Sequence, residues 1–185
     1  MRYSKAFTFI ELLTSLAIIG ILTGFAIPTF TTLLEVNSSI SARDNLLAAI
    51  NYTRLEAISR VTTITLCPKL TSSTCGKVWS EGILVFTDPN QNGRIDEEEE
   101  VLREFSPLWG GGTLRWSSFG SNNYLRYTPL GNTLNQNGSF IYCPTSNNLR
   151  YAQVIVINRG GRARAALDSN QNGIVERADG KDVTC

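Results

Sequence analysis

The chain has 185 residues, with 17 basic and 16 acidic side chains, a net charge of +1 and no histidine. Its 42% hydrophobic residues suffice for a folded core, and its length fits one domain plus an appendage. The lack of histidine excludes Ser-His-Asp and Cys-His nucleophile systems and HExxH zinc sites. A membrane-anchored enzyme is therefore the least favoured class of function.

The first element along the chain is an uncharged stretch that begins after Glu11. Residues 12–34 are 23 positions without a charged side chain, and a helix needs about 20 apolar residues to cross a bilayer. We therefore predict a single transmembrane helix over residues 7–34. Arg2 and Lys5 precede it, which predicts a cytoplasmic N-terminus. A secretory signal peptide is disfavoured because the apolar run is too long and no small-x-small cleavage site follows.

Glu11 needs an explanation, because an ionised carboxylate in lipid costs several kcal/mol unless it is paired or protonated. Snorkelling to the headgroups is one explanation. The surrounding "KAFTFIELL" resembles the class III signal of type IV prepilins, although Ala6 stands where that family usually has glycine. The resemblance implies a leader over residues 1–6, cleavage between Ala6 and Phe7 by prepilin peptidase, and N-methylation of Phe7. It also implies that Glu11, the fifth mature residue, pairs with the N-terminal ammonium of a neighbouring subunit during assembly.

The helix is expected to continue beyond the apolar segment. Pro28 stands at mature position 22, where pilins commonly carry a proline that bends the helix. Residues 35–60 contain neither proline nor glycine, and apolar residues recur in them near helical spacing. These residues are Val36, Ile40, Leu47, Ile50 and Ile58. We predict that this amphipathic half packs on a globular head.

Residues 61–185 contain β-rich runs separated by Gly, Pro and Asn clusters. The runs are "TTITLCP", "EGILVFTD", "EEVLREF", "NYLRYTPLG", "GSFIYCP", "AQVIVINRGG" and "RARAALD". The segment "RLEAISRVTTITLCP" resembles the GspH/FimT/FimU group of minor pilins and pseudopilins. The expected fold is therefore α+β and type IV pilin-like: a long N-terminal helix, half transmembrane and half amphipathic, packed on an antiparallel β-sheet head.

Two loops repeat one pattern, "DPNQNGRIDEEE" and "DSNQNGIVERAD". The first matches the EF-hand loop, and oxygen ligands at such spacing could bind Ca²⁺. Its candidate ligands are Asp88, Asn90, Asn92, Asp96 and Glu99. The second runs through Asp168, Asn170, Asn172, Gly173, Val175 and Asp179. The alternative, which we favour, is a turn, because Asp, Asn and Gly readily adopt left-handed conformations; no other cofactor is expected.

Four cysteines stand at positions 67, 75, 143 and 185, without a CxxC motif. A translocated head meets an oxidising compartment, so two disulfides are a better interpretation than a zinc site. Three pairings are possible. We favour Cys67–Cys75, which closes a local loop, and Cys143–Cys185, which would attach the C-terminal tail to the head.

Charge is segregated along the head. Residues 105–167 hold six arginines and no acid or lysine, which favours a positive surface if the fold brings the arginines together. They are Arg115, Arg126, Arg150, Arg159, Arg162 and Arg164. The guanidinium fork suits phosphate oxygens. Gly161-Arg162-Ala163-Arg164 also resembles the GRxR element of FimT-type minor pilins, which implies binding of double-stranded DNA, with Arg150 and Arg159 as flanking residues.

Two functions are therefore retained beside the disfavoured enzyme. The first is a minor pilin of a type IV pilus that binds DNA non-specifically for uptake in natural transformation. The second is a structural minor pilin or type II secretion pseudopilin that primes assembly without DNA. Both imply other pilins and prepilin peptidase as partners. Both also place the chain in the bacterial inner membrane with a periplasmic head, and then in a filament on the cell surface.

Overall fold

A computed structural model describes residues 8–107, 111–133 and 135–185, without the side chains of residues 25–29. One helix, α1, runs over Phe9–Arg60, as predicted. The chain divides into two compact units, Met1–Val36 and Asn37–Cys185. Pro28 lies within the bounds of α1, but its side chain is outside the description, so the bend at this position stays a prediction.

In the first unit, the described residues form the N-terminal part of α1. Its large apolar side chains are exposed, from Phe9 to Leu34. In the part of the chain that the structure describes, no helix combines the length and the apolar character needed to cross a membrane. The spanning segment expected at residues 7–34 stays a prediction.

In the second unit, α1 buries a narrow face made largely of small residues. Ala42, Leu46, Ala49, Ile50 and Ala57 are buried at intervals that keep them on one side of the helix. This face differs from the predicted one. Of the five predicted apolar residues only Ile50 is fully buried, whereas Ile40 and Ile58 are exposed. Small side chains let the helix backbone approach the sheets closely, and three alanines share this contact with Leu46 and Ile50.

The described residues form nine strands, and each of the seven predicted runs contains one of them. The strands are β1 Ile64–Thr71, β2 Thr74–Cys75, β3 Ile83–Thr87, β4 Val101–Phe105, β5 Thr113–Ser118, β6 Leu125–Tyr127, β7 Gly138–Cys143, β8 Gln153–Ile157 and β9 Ala163–Ala165. Short 3₁₀ segments lie at Trp79–Glu81 and Leu149–Tyr151. Strands β2 and β5 were not predicted. In β5, exposed and buried residues alternate, with Leu114 and Trp116 inside, and this alternation is a sequence signal for a strand.

The strands form two antiparallel sheets. The first has the order β2-β1-β3-β4, with β6 also paired to β1, and the second has the order β5-β7-β8-β9. The inner faces of both sheets and the buried face of α1 share one hydrophobic cluster, which contains Leu46, Leu66, Phe140 and Ile155. The predicted α+β architecture is confirmed.

Each sheet also carries a smaller apolar cluster away from this core. Cys67, Leu84 and Phe86 of the first sheet pack with Ile95. Residues of the second sheet, Val154 among them, pack with Val175 and Val183 of the C-terminal segment. Ile95 and Val175 occupy the same position in the two repeated loops, so each copy of the repeat covers one sheet.

The structure contains both favoured disulfides. Cys67–Cys75 joins residues eight positions apart, and Cys143–Cys185 joins residues 42 positions apart, each with a Cα–Cα distance of 5.7 Å. The second bridge attaches the last residue of the chain to the end of β7. The C-terminal segment is thereby held against the second sheet.

Candidate nucleic-acid interface

Arg162 and Arg164 lie at the edge of the second sheet. The edge strand β9 pairs only with β8 among the described strands, and Arg164 stands opposite Val156. Arg162 directly precedes β9, and Asn158 N donates to its carbonyl, so the pairing with β8 extends to Arg162. Alternation of the side chains then places Arg162 and Arg164 on the same side. Both are exposed, and neither guanidinium makes a hydrogen bond or ion pair with any residue that the structure describes. Both are therefore available to an external acceptor.

The turn that precedes β9 is tightly hydrogen-bonded. Asn158 N donates to Arg162 O (3.2 Å), Gly161 N donates to Asn158 O (2.9 Å), and Arg162 N donates to the Asn158 side-chain oxygen (3.0 Å). Arg159 lies exposed in this turn, and its carbonyl accepts from Thr133 N (3.2 Å). The backbone that carries Arg159 and Arg162 is thus fixed on both sides.

Gly161 is buried, so its place in the motif is structural. Its φ of +75° lies in the left-handed region, and an added Cβ would lie 2.1 Å from Gly131 O and 2.8 Å from Tyr127 Cε1. Tyr127 Oη donates to Gly161 O (3.0 Å), and burial raises the pKa of this phenol. Only glycine allows the turn to approach this closely.

Arg54 of α1 holds the same turn and was missed by the sequence analysis. Its Nε donates to Gly131 O (2.8 Å) and its Nη2 donates to Gly160 O (3.2 Å). One guanidinium therefore ties the 131 loop and the 160 turn to the helix. Its position in "RLEA" was a sequence signal, but the two glycine carbonyls that it binds are 77 and 106 residues away.

The remaining arginines of the acid-free segment do not join this edge. Arg126 is 9% exposed and forms an ion pair with Asp88 (3.2 Å) while contacting the Gln91 carbonyl. Arg115 Nη2 donates to Thr184 O (2.8 Å), so it binds the C-terminal tail. The fold does not bring all six arginines together, because Arg126 pairs with Asp88 and Arg115 binds the tail.

Arg150 also lies away from the turn before β9. It is exposed in the 3₁₀ segment Leu149–Tyr151, and its Nε lies 3.7 Å from where a Cβ of Gly173 would be. It therefore borders the second Asp/Asn loop rather than the turn before β9. The proposed flanking role rests more firmly on Arg159, which lies in that turn.

The first Asp/Asn loop is closed by its own side chains. Asp88 is fully buried and accepts from Thr65 Oγ1 (2.6 Å), Asn92 N (2.9 Å) and Gly93 N (3.2 Å), in addition to Arg126. The side-chain amides of Asn90 and Asn92 donate to Asp96 (2.8 and 2.7 Å). Amide donors thus point at the carboxylate that a cation would use.

Glu99 lies at the rim of this loop. Its Oε2 accepts from Asp96 N (3.1 Å), and partial burial raises the pKa of its carboxyl. Among the described residues, no three Asp, Glu or Cys side chains form a group that could hold a metal ion. The geometry matches the turn interpretation of this loop.

The second loop reproduces the first in detail. Asp168 accepts from Asn172 N (3.2 Å) and Gly173 N (2.7 Å), as Asp88 does from its own loop. Asn172 Nδ2 donates to Asp182 (2.8 Å), the counterpart of Asp96. Asp179, predicted at the twelfth position, instead accepts from Arg177 Nη2 (3.1 Å). Asp182 closes this loop from beyond the predicted ligand set.

At the N-terminus, Glu11 takes part in a capping box. Glu11 N donates to Thr8 Oγ1 (3.3 Å), and Thr8 N donates to Glu11 Oε2 (3.3 Å). This reciprocal pair satisfies donors at the first turn of α1. The predicted cleavage residues, Ala6 and Phe7, lie outside the described residues.

Comparison with known proteins now adds to this geometry. Residues 42–161 match the family described as type II transport protein GspH. The chain belongs to the GspH family. Residues 1–27 match the prokaryotic N-terminal methylation motif, which covers the predicted leader. Comparison with curated proteins gives no match.

Two crystal structures of the type IV minor pilin FimU of Pseudomonas aeruginosa (strain PAO1) resemble this GspH-family chain. One has a TM-score of 0.57 and 22% identity, and covers 74% of this chain and 94% of the other. The second has a TM-score of 0.52 and 22% identity, and covers 70% and 93%. At this identity the likeness concerns the fold.

Family, motif and fold together identify a minor pilin of the GspH/FimT/FimU group. The family and the fold are those of structural pilins rather than of enzymes. They indicate a membrane-anchored component of a pilus or type II secretion filament, a partner of other pilins and a substrate for prepilin peptidase. The GspH match ends at Gly161, so Arg162 and Arg164 follow it directly.

Proposed function

We propose that this minor pilin binds double-stranded DNA without sequence preference through Arg162 and Arg164, and serves DNA uptake in natural transformation. The observation that carries the proposal is the exposure of both arginines at the edge of the second sheet, where neither guanidinium has a partner among the described residues. Arg159 in the adjoining turn extends the same surface. Arginine forks bind phosphate oxygens in two-point contacts, which suits the DNA backbone.

The rigid backbone at these arginines supports the proposal. The turn before β9 is held by Arg54 and by the close contact of Gly161 with Gly131. Arg162 therefore starts from a fixed backbone, and binding orders fewer groups than it would on a loose loop. Phosphate contacts position a protein on DNA without reading bases, so little sequence preference is expected.

A salt titration tests the proposal. We expect the affinity of the full chain for duplex DNA to fall with salt, with a log–log slope of about −0.9 for each neutralised phosphate. Arg162→Gln with Arg164→Gln should weaken binding and make the slope shallower by roughly 2 units, one for each lost phosphate contact. Fluorescence anisotropy at several salt concentrations measures both quantities.

The matched control removes the same charge elsewhere on the head. Lys77 and Arg94 are exposed, and Lys77→Gln with Arg94→Gln should leave the slope nearly unchanged. Equal effects of the two double variants would refute a defined site. In cells, the arginine variant should lose transformation while filaments still assemble.

The second candidate is a structural minor pilin or type II secretion pseudopilin that primes assembly. The match to the GspH family, whose description names type II transport, favours it. In that case Arg162 and Arg164 contact neighbouring subunits. Their substitution would then impair assembly and leave DNA affinity unchanged.

We further propose maturation of the N-terminus by cleavage between Ala6 and Phe7 with N-methylation of Phe7, followed by pairing of Glu11 with the new amine of a neighbour. The chain would then pass from the inner membrane, where residues 7–34 anchor it with a cytoplasmic N-terminus and a periplasmic head, into the filament.

Mass spectrometry of filaments should find a chain that starts at methylated Phe7. Glu11→Val should leave the chain in the membrane but reduce its incorporation, whereas a different start or normal incorporation contradicts the proposal.

A further inference from the structure

Beside Arg164, the structure has a cleft between β9 and the C-terminal segment. Its volume is about 280 Å³, and its lining includes Arg164, Leu167, Glu176 and Arg177. Arg177 comes from outside the acid-free segment, so charge segregation along the sequence did not select it. The cleft therefore joins a basic residue of the sheet edge to one of the tail.

Backbone hydrogen bonds build the walls of the cleft. Glu176 N donates to Leu167 O (3.3 Å), which places the tail next to the extension of β9. Arg177 N donates to Lys181 O (2.8 Å) and Gly180 N donates to Arg177 O (3.0 Å), so Arg177 stands at the start of a tight turn. The fully buried Val183 and the Cys143–Cys185 disulfide fix this tail on the sheet.

The polar groups of the cleft favour an anion. Arg177 Nη2 binds Asp179 (3.1 Å), but the Nε–H of Arg177 is buried and has no acceptor among the described residues. A buried donor without an acceptor lowers stability. The guanidinium of Arg164 also lacks a partner in the described part of the chain. Two guanidinium groups thus line the cleft, and that of Arg164 has no partner among the described residues.

The one carboxylate that lines the cleft is already engaged. Glu176 is 8% exposed, and its oxygens accept from Ser169 N (2.8 and 3.1 Å) and Asn170 N (3.1 Å). Those backbone donors partly neutralise its charge. Asp179 does not line the cleft and is half exposed at its side chain, so an incoming anion competes with it only for Arg177 Nη2.

We propose that this cleft seats one phosphate group, held by Arg164 and Arg177, and that this group belongs to the backbone of the bound DNA. The inference rests on the proposed function and extends it, because the DNA footprint then runs from Arg162 on the sheet edge onto the C-terminal tail. A tetrahedral oxyanion offers several acceptors, which suits the guanidinium groups of both arginines. Free phosphate has the same chemistry and is the other source that the test distinguishes.

The test uses the full chain in a neutral detergent. Arg177→Gln should weaken binding of duplex DNA roughly fivefold near 0.1 M salt and make the salt slope shallower by about 0.9. Lys181→Gln is the control. It removes the same charge four residues further along the chain, and the Lys181 side chain does not line the cleft. Asp179→Asn should strengthen binding, since it removes the competitor of the phosphate. Equal slopes for Arg177→Gln and Lys181→Gln would overturn the proposal.

A second readout separates this proposal from the function on which it rests. Inorganic phosphate is titrated while the Nε–H resonances of the arginines are followed by NMR. Saturable shifts at Arg177 and Arg164, but not at Arg150, support the cleft. If the chain binds no DNA but these shifts occur, the proposed function fails and the ligand is free phosphate. If DNA binding depends on Arg162 but Arg177 neither shifts nor affects the slope, the function stands and the cleft proposal is wrong.

Discussion

At the scale of single residues, Gly161 is the part of the arginine motif that the fold constrains most. Its neighbours Arg162 and Arg164 are exposed, whereas Gly161 is buried against Gly131 and Tyr127. The motif therefore combines two kinds of residue. Glycine sets the turn, and the arginines supply charge.

We predict that Gly161→Ala destabilises the head by about 3 kcal/mol, from a left-handed φ together with overlap with the Gly131 carbonyl. Gly180→Ala is the control, because its φ is +77° but no atom lies within 4 Å of the added Cβ. It should cost about 1 kcal/mol. Chemical denaturation followed by fluorescence of the buried Trp79 and Trp116 measures both values. Equal losses of stability in the two variants would mean that the close contact of residue 161 with Gly131 does not add to the cost.

At the scale of elements, one arginine of α1 organises two distant loops. Arg54 binds carbonyls at Gly131 and Gly160, and Thr133 N in turn binds Arg159 O. Helix α1 thus fixes the turn that carries the candidate DNA contacts. A charge-assisted hydrogen bond of this kind contributes about 1.5–3 kcal/mol.

We expect Arg54→Gln to loosen both loops while α1 and the sheets stay folded. Amide hydrogen exchange should accelerate at Gly131, Thr133 and Gly161, whose N–H groups bond within these loops. Arg60→Gln is the matched control, since Arg60 makes only solvent-exposed pairs with Glu56 and Glu100 among the described residues. The loop amides should be unaffected in that variant, and unchanged exchange in Arg54→Gln would contradict the prediction.

The two repeated loops also belong to this scale. In the sequence, their spacing fits both a turn and a calcium loop. In the structure, the amides of Asn90 and Asn172 point at carboxylates, and Arg126 reaches Asp88. Arg126 lies 38 residues from Asp88, a distance over which local patterns carry no information.

At the scale of the whole molecule, the C-terminal tail depends on one disulfide. In the chain-entropy model, loss of Cys143–Cys185 should cost roughly 4 kcal/mol, and loss of the shorter Cys67–Cys75 loop roughly 2.5 kcal/mol. Denaturant unfolding of the two paired Cys→Ser variants under identical conditions shows which disulfide contributes more to the free energy of unfolding. A larger loss of stability without Cys67–Cys75 would show that native packing, rather than loop length, determines how much each disulfide stabilises the head.

The sequence by itself determined the class of the protein. The prepilin-type signal, the position of Glu11 within it and the β-rich runs are all local residue patterns. It also determined seven of the nine strands among the described residues, since alternation and turn residues act over a few positions. It misplaced the buried face of the helix, where alanines rather than Ile40 and Ile58 contact the sheets.

Only the tertiary structure decided which arginines face outward. Six arginines in one acid-free segment are equivalent in the sequence. The fold nevertheless buries Arg126 on Asp88, binds Arg115 to the tail and leaves Arg162 and Arg164 exposed at the edge of the second sheet. The same packing brings Arg177 beside Arg164. The physical reason is that burial and ion pairing join residues far apart in the chain, whereas a sequence pattern reports only neighbours.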